Sequence, residues 1–266
     1  MTLKALIFDV DGTLAETEEL HRRAFNETFA DFDLPWRWSP RLYGELLKVA
    51  GGKERILYYV AHYQAGRLAD IAPRVAEVHA HKTRGYEELM GEEPVPLRPG
   101  VARLIAEARA AGLRLAVATT TSRANLTALL RSAFPDPDGV FDVIVAGDEV
   151  ARKKPFPDVY ERVLDELGLD AESCIAIEDS RNGVAAARGA GLEVVVTPGL
   201  YTAGEDFSGA LAVVSELGLP ARSYEHLAGA GRHDRNVTVE ALERWHGAAL
   251  RDEAPARADR PILLHA

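Results

Sequence analysis

Two aspartates stand two residues apart in Phe8-Asp9-Val10-Asp11-Gly12-Thr13-Leu14, at the end of the apolar run Ala5-Leu6-Ile7-Phe8. Carboxylates at the end of a buried strand are costly unless something compensates their charge, and a hard cation with oxygen ligands does so. Gly12 lets the chain turn at once, so both acids can face one cleft. A second acid pair, Glu178-Asp179, follows the apolar run 174–177 and precedes a helical pattern. The plain alternatives are an acid pair closing a loop in the first case, and capping of the helix by Asp179 or Ser180 in the second. Thr119-Thr120-Thr121-Ser122 follows another apolar run and opens a further helix. Hydroxyls and free N–H groups at a helix start suit an anion, although one hydroxyl could serve as the cap. Lys154, fixed beside Pro155 after a further apolar run, can bring a cation to the same edge or extend into solvent.

These groups can meet only if their strands lie side by side. Short apolar runs at 4–10, 113–119, 141–146, 174–178 and 193–197 alternate with helical patterns at 101–111, 122–132, 157–167 and 182–190. The alternation predicts an α/β fold, a Rossmann-like doubly wound parallel sheet whose strands end along one shared edge. One interruption stands out. Between 16 and 94 no buried strand is evident, and apolar residues follow helical spacing, as in Leu20, Ala24, Phe25 and Phe29. A helical-bundle cap domain of four or so helices is expected there, with the core formed by 1–15 and 95–230. Residues 231–266 are expected to hold a terminal helix near 237–249 and a mobile tail from 251, and 212–214 to form an edge strand.

The composition is that of an ordinary globular protein, with 47% hydrophobic and 27% charged residues in 266. Against 31 basic side chains stand 41 acidic ones, a balance of −10 that argues against a nucleic-acid or anionic-membrane partner. An anionic ligand would therefore need a local cluster of Lys and Arg. The one cysteine, Cys174, cannot form an internal disulfide and sits in a strand pattern, which suits a buried thiol in a reducing compartment. No apolar run approaches the roughly 20 residues that span a bilayer. With a strand starting so near Met1, no signal peptide is expected and the protein is read as cytoplasmic.

Taken together, the Asp9/Asp11 pair, Thr119, Lys154-Pro155 and Glu178-Asp179 resemble the four motifs of the haloacid dehalogenase superfamily of phosphotransferases. The resemblance covers nearly the whole chain, with the insertion where that family carries a helical cap. It implies that Asp9 attacks phosphorus and becomes an aspartyl-phosphate, while Asp11 protonates the leaving oxygen and later accepts a proton from water. It implies Mg2+ held by Asp9, the Asp11 backbone carbonyl and Asp179, with Glu178 direct or through water. Thr119 and a following backbone N–H would hold phosphoryl oxygens, and Lys154 would supply positive charge as the transition state forms. An acid at Asp11 favours phosphoryl chemistry over dehalogenation, which needs neither the metal nor that acid.

Selectivity must then come from the cap. Gly51-Gly52-Lys53-Glu54-Arg55, with His79, His81, Lys82 and Arg84 further on, offers cations for a second phosphate. An ordinary helix start and a solvated helical face are the alternatives. The segment 15–21, the Gly52, Lys53 and Arg55 turn, His79 with Lys82, the run 118–125 and Pro198-Gly199-Leu200-Tyr201-Thr202 resemble the CbbY phosphatases. That resemblance implies hydrolysis of xylulose-1,5-bisphosphate, a misfire product that inhibits Rubisco in the Calvin cycle, to xylulose-5-phosphate. It makes Glu18, His21, Thr120, Ser122 and Asn125 candidates for sugar contacts or cap closure, in a protein expected to be monomeric. A β-phosphoglucomutase-like sugar-phosphate mutase shares every core residue, and an inert binding protein on the same scaffold is the alternative outside catalysis.

Overall fold

The computed structural model describes the backbone of residues 2–258 and the side chains of residues 2–251. Its frame is one seven-stranded sheet in the order β3-β2-β1-β4-β5-β6-β7. The strands are β1 (Ala5–Phe8), β2 (Arg114–Ala118), β3 (Val143–Val145), β4 (Cys174–Glu178), β5 (Glu193–Val196), β6 (Ala212–Val214) and β7 (His226–Gly229). All neighbours pair in parallel except β6 with β7. The antiparallel β7 has no counterpart among the strand patterns of the sequence. Only four residues long and mostly exposed, it carries no apolar run for a pattern to reveal.

The central strands are apolar on both faces because both are covered. Leu6, Phe8, Leu115, Val117, Ile175 and Ile177 enter one apolar cluster, while Ala5, Ile7, Ala116, Cys174 and Ala176 enter the other. The alternation follows from the two-residue period of a strand. Burial also pushes the Cys174 thiol up to about 12, so it stays protonated and inert. Helices α6 (Val101–Ala110), α7 (Arg123–Ala133), α8 (Asp158–Leu167) and α9 (Arg181–Gly189), numbered after five earlier ones, complete the layers. The last helix, α10 (Val239–Ala258), runs past the 237–249 expected. Residues 251–258, read as part of a mobile tail, are helical, and 259–266 lie outside the described residues.

Between β1 and α6 the chain forms α1 (Glu18–Asp31), α2 (Pro40–Leu46), α3 (Gly52–Tyr63), α4 (Leu68–Ile71) and α5 (Val75–Glu92). Phe25, Phe29, Trp36, Trp38, Tyr43, Ile56, Tyr59 and Val60 give this helical unit an apolar cluster of its own. Its base is continuous with the sheet, since Leu20, Ala24, Tyr86 and Met90 belong to the main cluster. The chain returns where Leu97 bridges Ala15. Among the described residues no helix is long and apolar enough to cross a membrane.

Candidate active site

The parallel register sets Phe8 level with Val117 and Ile177, so the residues that follow emerge together. The Asp9 N–H donates to the Ile177 carbonyl at 3.0 Å, and the Thr119 N–H to that of Val145 at 3.1 Å. Asp9, Glu178 and Asp179 each present a carboxylate oxygen, all within 4.8 Å of one another. Two glycines make room for them. At Gly12 (φ +84°) a Cβ would lie 2.3 Å from Asp179 Oδ2, and at Gly183 one would lie 1.8 Å from Glu178 Oε2. Lys154 arrives from the loop before α8. Its ammonium donates to Asp9 Oδ1 and Glu178 Oε1, each at 2.6 Å, and to the Ala118 carbonyl at 2.8 Å. The Tyr160 hydroxyl donates to Glu178 Oε1 at 2.5 Å.

Three buried carboxylates around one ammonium leave excess negative charge. Burial, reinforced by Glu178 and Asp11 and opposed by Lys154, pushes Asp9 up to about 8. Burial with the charges of Asp9 and Glu178 drives Asp179 well above the carboxylate range. For Lys154 burial works the other way, but the two carboxylates outweigh it and hold the ammonium above the ordinary lysine range. An all-oxygen set of this kind suits a hard divalent cation, which would offset the charge that Lys154 leaves uncompensated.

Asp11 has a different environment. Burial disfavours its charge, but His21 and Thr17 outweigh it and bring Asp11 down to about 2. Thr17 Oγ1 donates to Asp11 Oδ1 at 2.5 Å and His21 Nε2 lies 3.0 Å from the same oxygen. His21 Nδ1 faces the Lys82 ammonium at 2.5 Å. A charged lysine there makes Nδ1 the acceptor, so the proton on the neutral imidazole sits on Nε2 and points at Asp11. Burial and Lys82 depress His21, and burial brings Lys82 down to about 7. Lys82, expected to meet a second phosphate, is thus engaged with His21 between the rings of Phe25 and Tyr86.

A cavity of about 390 Å³ opens over these groups. The sheet edge contributes Asp9, Asp11, Thr120, Ser122, Asn125, Lys154 and Asp179; the helical unit contributes Glu18, His21, Gly52, Lys53, Arg55, His79 and Lys82. Of the residues singled out in the sequence, Thr119 and Glu178 lie beneath the surface rather than in it. Thr119 Oγ1 accepts the Thr121 N–H at 3.2 Å. The capping alternatives are satisfied by neighbours of the reactive groups. Ser122 accepts from Asn125 N–H and caps α7, while Ser180 accepts from Gly183 N–H and caps α9, leaving Asp179 to the acid cluster. His79 lines the cavity, where burial and nearby lysines bring it down to about 3 and favour the neutral imidazole over the cation. His81 turns away to Thr28 and Asp31, on the other side of α5.

Arg98 and Tyr43 join the site with no signal in the local sequence. Arg98 donates to the carbonyls of Thr197 (2.6 Å), Pro198 (2.8 Å) and Gly12, and meets Glu16 at 3.3 Å. It ties the loop after β1 to the loop after β5 from below. On the helical wall, Arg55 donates to the Tyr43 hydroxyl at 3.1 Å and Tyr43 donates to Glu18 at 2.6 Å, while Arg55 Nε is buried with no partner. No local pattern announces Arg98 or Tyr43, whose partners lie far away in the chain.

Comparison with known proteins agrees with this geometry. Residues 3–191 match the family model of haloacid dehalogenase-like hydrolases. The CbbY protein of Cupriavidus necator is 50% identical over 93% of this chain and 98% of its own, and that of Rhodobacter capsulatus 56% identical over 79% and 92%. The crystal structure of a CbbY variant from Rhodobacter sphaeroides, in complex with xylulose-1,5-bisphosphate, superposes with a TM-score of 0.76 at 48% identity. It covers 83% of this chain and 98% of that one. The chain belongs to the haloacid dehalogenase-like hydrolases, as a phosphatase similar to the CbbY proteins.

Proposed function

We propose that the protein is a Mg2+-dependent phosphatase that hydrolyses xylulose-1,5-bisphosphate to xylulose-5-phosphate and phosphate through an aspartyl-phosphate on Asp9. The observation that carries the reading is the pairing of Asp9 with Lys154 and two further buried carboxylates at one end of a cavity whose other wall presents Lys53 and Arg55. The substrate is suggested by the bisphosphate bound to the relative of 48% identity. Residues 16–94 act as the cap domain over a core of 1–15 and 95–230.

Asp9, Glu178 and Asp179 would hold the cation, which when bound neutralises the phosphoryl oxygens and the carboxylates around them. An Asp9 oxygen bonds to phosphorus as the bond from phosphorus to the sugar oxygen breaks, and that oxygen takes a proton from Asp11. Water then attacks phosphorus, Asp11 takes its proton, and phosphate leaves with Asp9 restored. Thr17 and His21 favour the ionised Asp11, the form that takes the proton of water; the phosphoryl anion bound beside it raises its proton affinity and so supplies the protonated form that serves the sugar oxygen. The Lys154 ammonium balances charge on the transferring group. Lys53 and Arg55 meet the distal phosphate, and Glu18, Thr120 and Asn125 line the space left for the sugar. In a cytoplasmic monomer this activity would clear an inhibitor of Rubisco and so serve the Calvin cycle.

A screen of phosphate release from mono- and bisphosphorylated sugars with Mg2+, and with no bisphosphate activator added, tests the reading. Release is expected to be fastest from xylulose-1,5-bisphosphate and absent in Asp9→Asn. A mutase would release none, and Asp9→Asn turning over near the wild-type rate would remove the nucleophile assignment.

A further inference from the structure

The segment Pro198-Gly199-Leu200-Tyr201-Thr202 has no role in the chemistry above, yet it touches both halves of the molecule. On the core side, the Thr202 hydroxyl lies 3.1 Å from Asp179 Oδ2 and accepts the Gly199 N–H at 2.8 Å. With that N–H as its donor, the hydroxyl's single proton can point at Asp179, the nearer of its two acceptors, the Gly199 carbonyl lying at 3.5 Å. A Cβ on Gly199 would lie 3.1 Å from the same Asp179 oxygen, so the loop backbone also packs on this acid. On the other side, the Leu200 N–H donates to Glu16 Oε2 at 3.2 Å. The Tyr201 hydroxyl bonds to Glu19 on α1, and its ring stands edge-on to Tyr43 with centroids 5.6 Å apart. Tyr43 is the residue that joins Arg55 to Glu18 on the cavity wall.

A continuous set of contacts therefore runs from Asp179 through Thr202 and Tyr201 to Tyr43. We propose that Thr202 and Tyr201 are positioning residues that couple cation binding at the buried acids to the arrangement of the helical wall. Thr202 holds the Asp179 carboxylate in its ligating orientation. Tyr201 anchors the same loop to α1 and α2, so ordering one end favours ordering of the other. Such a coupling is reciprocal: whatever the cation does for the wall, the wall does for the cation. The inference rests on the phosphatase reading only in assuming that the acids bind a divalent cation.

The test uses the full chain without substrate. Mg2+ is titrated calorimetrically into the metal-stripped protein, and amide exchange over residues 40–55 is followed with and without Mg2+. Thr202→Val preserves side-chain shape but removes the hydroxyl, and is expected to weaken Mg2+ binding on the order of tenfold, with recovery in Thr202→Ser. Tyr201→Ala, which alters no acid of the site, is expected to weaken Mg2+ binding severalfold and to abolish the gain in protection that Mg2+ confers on 40–55 in the wild type. Tyr201→Phe keeps the ring and loses only the Glu19 bond, so it should preserve the packing and show a smaller effect. Wild-type Mg2+ affinity in both Tyr201 variants, or no Mg2+-dependent protection of 40–55 in the wild type, would overturn the coupling. If Mg2+ binding and the coupling hold while no sugar phosphate is hydrolysed, the functional reading fails and this inference stands.

Discussion

Asp9 and Asp11 lie two residues apart on one strand end, yet their surroundings drive their ionisation in opposite directions. Asp9 faces two other buried carboxylates and goes up to about 8; Asp11 faces Thr17 and His21 and goes down to about 2. Below its raised pKa the metal-free Asp9 holds a proton that a cation must displace, and the same applies to Asp179. Mg2+ affinity is therefore expected to rise with pH from about 6 through about 8, and to level off only once both acids are ionised. Calorimetry across that range checks the sign; an affinity independent of pH would contradict it. Lys154 offsets part of this negative charge through two bonds to carboxylates. Lys154→Met should destabilise the metal-free protein by about 3–5 kcal/mol in denaturant titration, because carboxylates that were paired become uncompensated. Saturating Mg2+ should recover a larger share of stability in the variant than in the wild type.

The elements determine which of several adjacent polar residues does chemistry. At the start of α9 the choice lay between Asp179 and Ser180 as the cap. Ser180 takes it, because its extended backbone conformation aims the hydroxyl at the Gly183 N–H. The loops themselves are held by Arg98, whose side chain is 9% exposed and meets acceptors from the segments after β1, β5 and β6. Arg98→Lys keeps the charge but loses the planar fork that lets one side chain serve several carbonyls. A loss of about 2–3 kcal/mol is expected from thermal or denaturant melts. Mg2+ affinity should fall with it, since the Gly12 loop packs on Asp179. An unchanged melting temperature would show that the loops hold their places unaided.

For the whole molecule, the issue is how a net charge of −10 accommodates an anionic ligand. Acids outnumber bases in the cavity lining, so its cations must serve by position: Lys154 at one end, and Lys53 and Arg55 on the helical wall. Lys53→Ala is expected to raise KM for a sugar bisphosphate about tenfold or more while changing a monophosphate far less, since only the first carries a second phosphate to lose its partner. Equal losses in steady-state kinetics would remove the distal-phosphate assignment. Much of this design is legible in the chain itself. The parallel strands, the acids at their ends and the hydroxyl-rich helix start are local patterns, dictated by burial on both faces of a sheet and by the needs of a helix terminus. Other features required the folded structure. Lys82 turning to His21, Thr119 lying under the cavity edge, Arg98 fastening two loops and Tyr201 reaching the helical unit all depend on partners distant in sequence. Periodicity reports which face of an element is buried; what that face meets is decided only when separate elements pack.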